Sequence, residues 1–287
     1  MSESQNSEGE KWDLVIEPKN KFFRLNLKEL LQYKFLMFLF VRRDFVAQFK
    51  QTLLGPLWFI IQPVMTSGIF TVVFSEVAKI PTEGVPPFLF NLAGVTLWNY
   101  FASCLTSTSN ILGSNAGLFG KVYFPRLAVP ISTVITRLYT FSIQFVFFLV
   151  VLFAMMLSGA HLTPNLYLLL VPVMIIHAGL LGLGIGLWAS ALTVKYRDLN
   201  QLIGFGVSLA MYATPIFYPL SAMPGRLRWI ADLNPMAPVV EIFRYAFTGA
   251  GALPVVEYGI SLGLTVVLVF LGLALFHRAE RNFVDVA

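Results

Sequence analysis

Long uncharged stretches alternate with short polar ones along this chain, and the alternation predicts its elements. From Leu53 to Ser75 no residue carries a charge, which gives a first span at residues 57–74, and apolar stretches recur at residues 88–111, 130–156, 166–193, 199–217 and 258–276, with Arg137 the sole charge within them. Each approaches the ~20 residues that a helix needs to cross a hydrocarbon core. Gln62 and Pro63 inside the first predict a kink. Asn99, Ser103 and Thr106–Asn110 make the far half of the second polar, so that half should face protein or a solvated path. Gly179, Gly182, Gly184 and Gly186 in the fourth form a surface for close helix approach.

The segment before the first span behaves differently. Wound at about 100° per residue, residues 27–54 place Phe38, Val41, Phe45, Phe49 and Thr52 in one quadrant and Arg43, Asp44, Lys50 and Gln51 opposite. Its longest apolar run, residues 35–41, is too short to span, so an amphipathic helix lying along the headgroups is expected. Gly55-Pro56 then turns the chain into the membrane. Residues 1–26 read as a flexible tail. Glu3, Glu8, Glu10 and Asp13 there lack the order of a signal peptide.

Residues 218–257 are rich in Met, Leu, Trp, Ile and Phe, yet Pro219, Pro224, Pro235, Pro238 and Pro254 cut them into pieces too short to cross. Two short helices, near Met223–Ala231 and Met236–Thr248, are expected to dip into the outer face as a re-entrant hairpin. The fold class is therefore all-α integral membrane. Six transmembrane helices follow an amphipathic interfacial helix, with the re-entrant hairpin between the fifth and sixth spans, and residues 55–287 form one transmembrane domain.

Composition agrees with this pattern. Of 287 residues, 57% are hydrophobic and only 12% charged, with a mean hydropathy of +0.74. The net charge of +5 does not indicate nucleic acid, because the basic residues follow membrane topology. Most of the 20 Lys and Arg residues fall in segments that a cytoplasmic N-terminus keeps inside. Lys79, Arg226, Arg228 and Arg244 fall on the other side. Both termini are thus expected in the cytoplasm.

Little catalytic chemistry is visible. Gly117, Gly120 and Lys121 resemble part of a phosphate loop, but Asn115 and Val122 occupy the positions that would complete it. His161, His177 and His277 lack metal-ligand spacing, and no paired acidic motif suggests a transferase. No metal or cofactor is expected on this chain. Cys104 stands alone, so no intrachain disulfide can form. Arg137 lies about two turns inside the third span, where it must snorkel, anchor helices or meet an anionic substrate. Glu241 and Arg244, spaced i, i+3, suit a local ion pair or an outer latch.

From Leu27 onward the chain resembles the membrane subunits of ABC-type polysaccharide exporters, which move O-antigen, capsule or teichoic acid chains. The resemblance rests on Arg42-Arg43-Asp44, Lys50-Gln51-Thr52-Leu53-Leu54-Gly55-Pro56-Leu57-Trp58, residues 121–126, Tyr196-Arg197-Asp198-Leu199, Asn234-Pro235-Met236 and Phe243-Arg244. Phe49 departs from the Tyr more usual there. The resemblance implies a homodimer in the bacterial cytoplasmic (inner) membrane, surrounded by membrane lipids and served by a separate ATPase subunit that binds ATP and magnesium. It also implies that a lipid-linked polysaccharide passes along the dimer interface.

Arg42, Arg43, Ala47, Lys50, Ser114, Asn115, Gly117 and Lys121 become candidates for coupling to the ATPase. Rings that could stack on a sliding sugar chain are Trp98, Tyr100, Phe101, Tyr212, Phe217 and Tyr218, with Arg137 beside the same path. Trp229, Glu241 and Arg244 are candidates for an outer gate. A passive channel or scramblase, an exporter of small lipophilic substrates, and a membrane transferase are the alternatives. ATP dependence and a co-purifying ATPase separate them.

Overall fold

A computed structural model describes residues 27–119, 124–196 and 198–284. The expected tail, Lys121 with its motif neighbours Val122 and Tyr123, and Arg197 lie outside the described residues. Those described are helical, without strands. Two helices, α1 (Leu27–Gln32) and α2 (Lys34–Phe49), precede α3 (Trp58–Phe70), which ends in a π-helical turn over Thr71–Val77. There follow α4 (Pro87–Ser109), the short α5 (Ile111–Ser114) and α6 (Ala116–Phe119), and the long α7 (Ala128–Leu157). After α8 (Val171–Thr193) come α9 (Leu199–Ala213), α10 (Arg228–Leu233), α11 (Met236–Thr248) and α12 (Val255–Val284).

Five helical segments are long and apolar enough to cross a membrane: Gly55–Val77, Pro87–Ser109, Ala128–Leu157, Leu166–Thr193 and Val255–Glu280. The expected fifth crossing is shorter than its uncharged stretch. Helix α9 stops at Ala213, after 15 residues, because Thr214 adopts extended backbone and Pro215 follows it. Pro63 does not interrupt α3; the irregularity comes later, at the π turn.

Helix α4 is the axis of the bundle, with α7, α8, α3, α9 and α11 packed around it. Close approach to α8 requires glycine. A Cβ on Gly182 would lie 2.7 Å from Cys104 Cβ, and one on Gly186 2.6 Å from Thr108 Cβ. On its other side Gly184 admits the backbone of α12, 2.9 Å from where its Cβ would stand. The glycine pattern thus serves two neighbours, because residues three and four apart share a helix face while Gly184 lies off it.

A second core forms at the end of the bundle where α2 lies. Phe40 packs there with Phe124, Leu112, Leu187 and Phe276. The buried face of α2 is therefore rotated from the quadrant expected from sequence. Phe40 and Val41 are buried, Phe45 and Phe49 half-buried, but Phe38 and Thr52 are exposed. Rings at Phe45 and Phe49 reach Tyr139 of α7 (5.8 Å) and Phe59 of α3 (5.1 Å). With Phe35, Phe38, Leu39 and Val46 exposed, α2 has a second apolar face suited to lipid. The helix also ends sooner than expected, since Gln51 and then Gly55 turn left-handed (φ 67° and 49°).

Candidate functional site

Side chains from four elements converge at the α2 end on a cavity of about 410 Å³. Helix α2 contributes Arg43, Asp44, Ala47 and Gln48; α4 contributes Thr106 and Ser107, with Asn110 just past its end. Ser114 of α5 and Asn115 lie across from Thr133, Thr136 and Arg137 of α7. The polar half of α4 that the sequence assigns to a solvated path is one wall of this cavity.

Its charges are unevenly satisfied. Arg43 Nε donates to Asp44 Oδ1 at 2.8 Å. The hydroxyls of Thr106, Thr133 and Thr136 donate to the carbonyls of Ala102, Val129 and Ser132, one turn back in their own helices. Arg137 makes no hydrogen bond or ion pair among the described residues, and its Nε is buried. A guanidinium carries five N–H donors and cannot shed its charge, so this arrangement leaves a strong anion receptor uncommitted.

At the opposite end a second cluster is paired within itself and with backbone, leaving only Arg244 Nε and Glu241 Oε2 without a hydrogen-bond partner among the described residues. Arg244 on α11 donates from Nη1 to Glu241 Oε1 (3.2 Å) and from Nη2 to the carbonyls of Pro215 (2.6 Å) and Ile216 (3.2 Å). Glu241 Oε1 also accepts from the Leu220 N–H at 3.1 Å. The guanidinium lies 3.6 Å from the Phe90 ring centroid, so α4 closes over it. Burial pushes the Glu241 carboxyl up from the usual carboxylate range, and Arg244 beside it pulls it back down. The local pair expected from the i, i+3 spacing is present, and it is also the clamp on the non-helical end of α9.

The remaining sequence candidates scatter. Trp98, Tyr100 and Phe101 are buried in the core of the subunit, where Tyr100 meets Phe141 and Trp98 meets Phe101. Phe217 is buried too, 3.8 Å from Phe70. None of these four reaches an open surface within the chain, because α7, α8 and α3 cover the faces of α4 and of the α9 end on which they stand. Tyr212 and Tyr218 do: with Lys79, Met223 and Leu227 they line an outer groove of about 610 Å³. Trp229 is exposed and lies apart from the Glu241–Arg244 cluster. Arg42, Lys50 and Gly117 are exposed, whereas Arg43, Ala47, Ser114 and Asn115 meet around the cavity.

Sequence reasoning missed two features. One is that Arg137 and the coupling candidates share a cavity, which no spacing along the chain reveals. The other is Arg126, which donates from Nη1 to the Glu280 carbonyl (2.9 Å) and pairs with its carboxylate (3.5 Å), fastening the entrance of α7 to the end of α12. Among the described residues no group of three or more His, Cys, Asp or Glu could hold a metal ion.

Comparison with known proteins places this geometry in context. Residues 36–248 match the ABC-2 type transporter family. The chain is similar to an O-antigen export system permease protein RfbA of Klebsiella pneumoniae, 28% identical over 265 residues, covering 91% of this chain and 99% of the relative. A protein of the same name from Myxococcus xanthus is 27% identical over 263 residues (90% and 98% covered). The polysialic acid transport protein KpsM of Escherichia coli is 26% identical over 250 residues (83% and 91%).

Proposed function

The chain belongs to the ABC-2 type transporter family, and on that premise we propose that it is the membrane subunit of an exporter that moves a lipid-linked polysaccharide out of the cytoplasm. The relatives named for O-antigen and polysialic acid transport, similar over most of their length, support the substrate class. ATP and magnesium belong to a separate ATPase subunit, which docks at the α2 end. Arg43, Ala47, Ser114 and Asn115 are its nearest receivers there, because two of the elements that would meet it enclose one cavity. A push on α2 or α5 would deform that cavity and, through Thr133 and Arg137, reach α7.

The observation that carries the homodimer is the poor cover of two helices. Helix α9 buries none of its residues within the chain, and the span containing α3 is 11% buried. They meet at one end through Phe70, Tyr212 and Phe217. Gly204, Gly206 and Ser208 on α9 and Gln62 on α3 give this surface polar and small positions that lipid would not require. A second copy across it would place two such surfaces on either side of a path.

Six crossings, with α9 as the fifth, keep both termini in the cytoplasm, and residues 220–248 form the re-entrant hairpin. A helix of 15 residues spans only about 22 Å. The buried stretch 214–217 covers the remainder, with the Pro215 and Ile216 carbonyls accepting from Arg244. Non-helical backbone at membrane depth is tolerated only when buried in this way.

The test is export itself. Cells lacking this chain should retain the glycan inside, and the chain purified in mild detergent should bring an ATPase subunit with it. Single cysteines at Ala47 and Asn115 should cross-link to that subunit. Glycan movement that continues without ATP would establish a passive channel or scramblase instead.

A further inference from the structure

The cavity at the α2 end holds an arginine, Arg137, that Asp44 attracts across the space but that makes no hydrogen bond among the described residues. Arg43 and Asp44 neutralise each other, and the threonine hydroxyls have given their hydrogens to backbone carbonyls. Arg43 is exposed and can turn its remaining donors to water, so Arg137 presents the buried charged donor of this cavity that has no hydrogen-bond partner among the described residues. A buried donor without an acceptor is costly, so a group that supplies acceptor oxygens there gains what the chain alone leaves unsatisfied. The space of about 410 Å³ is an order of magnitude beyond the roughly 30 Å³ of one water. It falls in the range of small-ligand pockets, roughly 300–1,000 Å³.

Position restricts the ligand further. The cavity lies behind α2, whose outward face carries Phe35, Phe38 and Leu39. Such a face sits at the boundary between headgroups and acyl chains, so the cavity opens at headgroup depth. What a planar guanidinium fork recognises at that depth is a phosphate, taken by two parallel N–H···O bonds. We infer that this cavity is a binding site for the phosphate group of a membrane amphiphile, with Arg137 as the anchoring residue. Asp44, on the opposite wall, opposes the anion and keeps binding weak enough for release, which a transported ligand requires.

Two amphiphiles offer this chemistry: the diphosphate of a polyprenyl carrier and the phosphodiester of a bulk phospholipid. The inference depends on the exporter reading only for the first of these sources. The detergent-purified full-length chain is titrated separately with polyprenyl diphosphate and with phosphatidylglycerol, and bound lipid is counted by native mass spectrometry. Arg137→Gln should weaken binding at least about ten-fold, the scale of charged hydrogen bonds, and Arg137→Lys should weaken it less. Loss confined to polyprenyl diphosphate identifies the carrier as the source; loss confined to phosphatidylglycerol identifies the bulk lipid.

Asp44→Asn supplies an arm with the opposite sign. It removes the carboxylate that attracts both Arg43 and Arg137 and changes no core side chain, so it should fold normally and bind the phosphate more tightly. Adding Arg137→Gln should abolish that gain, whereas a gain that survives in the double variant belongs to Arg43 and overturns Arg137 as the anchor. Wild-type affinity for both probes in Arg137→Gln, or weaker binding in Asp44→Asn, overturns the site. If ATP-dependent glycan export persisted alongside either result, the exporter reading would stand without the site.

Discussion

Arg244 Nη2 donates to the Pro215 carbonyl oxygen at 2.6 Å, joining α11 to the stretch where α9 stops. Pro215 and Ile216 lie just past the end of α9, so their carbonyls lack the partners that another turn would supply. Arg244 replaces those partners, and Glu241 balances its charge while holding the Leu220 N–H. The two residues are each only 1% exposed. Neither charge can turn to water if the other is removed.

Glu241→Ala and Arg244→Met should each destabilise the folded chain by roughly 3–5 kcal/mol, since each leaves one buried charge uncompensated. Replacing both by Met should recover only part of that loss, because the carbonyls of Pro215 and Ile216 stay unpaired. Thermal unfolding in detergent measures all three. Stability equal to the parent in either single mutant would show that this pair does not hold α9 to α11.

The glycines of α8 and α9 are expected to behave oppositely. Gly182→Ala forces its Cβ to within 2.7 Å of Cys104, and such overpacking costs typically about 1–3 kcal/mol. Gly204→Ala meets nothing within 4 Å in the subunit and should gain up to about 1 kcal/mol of helix propensity. Should Gly204→Ala instead lower the stability of the assembled protein, the added methyl would be meeting a second copy.

How much of this was legible in the sequence differs by element, for physical reasons. Helices crossing in single uncharged stretches were readable almost to the residue, as with Leu166–Thr193, because hydrocarbon imposes length and polarity on each residue. The short helix Met236–Thr248 was readable because prolines and glycines bound it. The facing of α2 was not. With Phe35, Phe38, Leu39, Phe40 and Val41 in one run, apolarity surrounds the helix, and only packing against Leu112, Phe124 and Phe276 decides that Phe40 is buried while Phe38 is exposed.

The candidate site divides along the same line. Arg137 announces itself as a charge in an apolar stretch, and Glu241 and Arg244 announce their pairing by spacing. That Asp44, Asn110 and Arg137 share a cavity depends on long-range packing of α2, α4 and α7, which leaves no local pattern. Trp98, Tyr100 and Phe101 mislead for a related reason. Aromatic rings suit a sugar path and a hydrophobic core equally, and α4 is the most buried span of the bundle.

The uncovered face of α9 yields a direct test of the homodimer. Phe205 is exposed there, with Leu202 and Leu209 a turn to either side. Phe205→Cys, placed in a Cys104→Ala background, should cross-link to its own copy in native membranes. A cysteine replacing Val150, which faces outward from α7, should not. Equal cross-linking at the two positions would indicate random collision, and none at Phe205 would place the interface on another face.

The last expectation concerns the outer groove. Of the six aromatic candidates, Tyr212 and Tyr218 line an open surface, and the Tyr218 hydroxyl donates to the Tyr212 carbonyl at 2.9 Å. The Tyr212 ring is half exposed at the rim, and leucine keeps an apolar side chain against the Phe70 and Phe217 rings that it also touches. A glycan sliding past would stack its C–H faces on that ring without fixing a register. Tyr212→Leu should therefore lower surface glycan several-fold while leaving expression and thermal stability unchanged. Trp98→Leu should do the reverse. Its indole is 2% exposed, and truncating a large buried ring costs on the order of 3 kcal/mol, so less folded protein should accumulate while each folded copy exports normally. Tyr218→Phe lies between them, losing one hydrogen bond worth about 1 kcal/mol but keeping its ring. Measuring surface glycan per folded chain separates the three. Parental export per chain in Tyr212→Leu would remove this groove from the path.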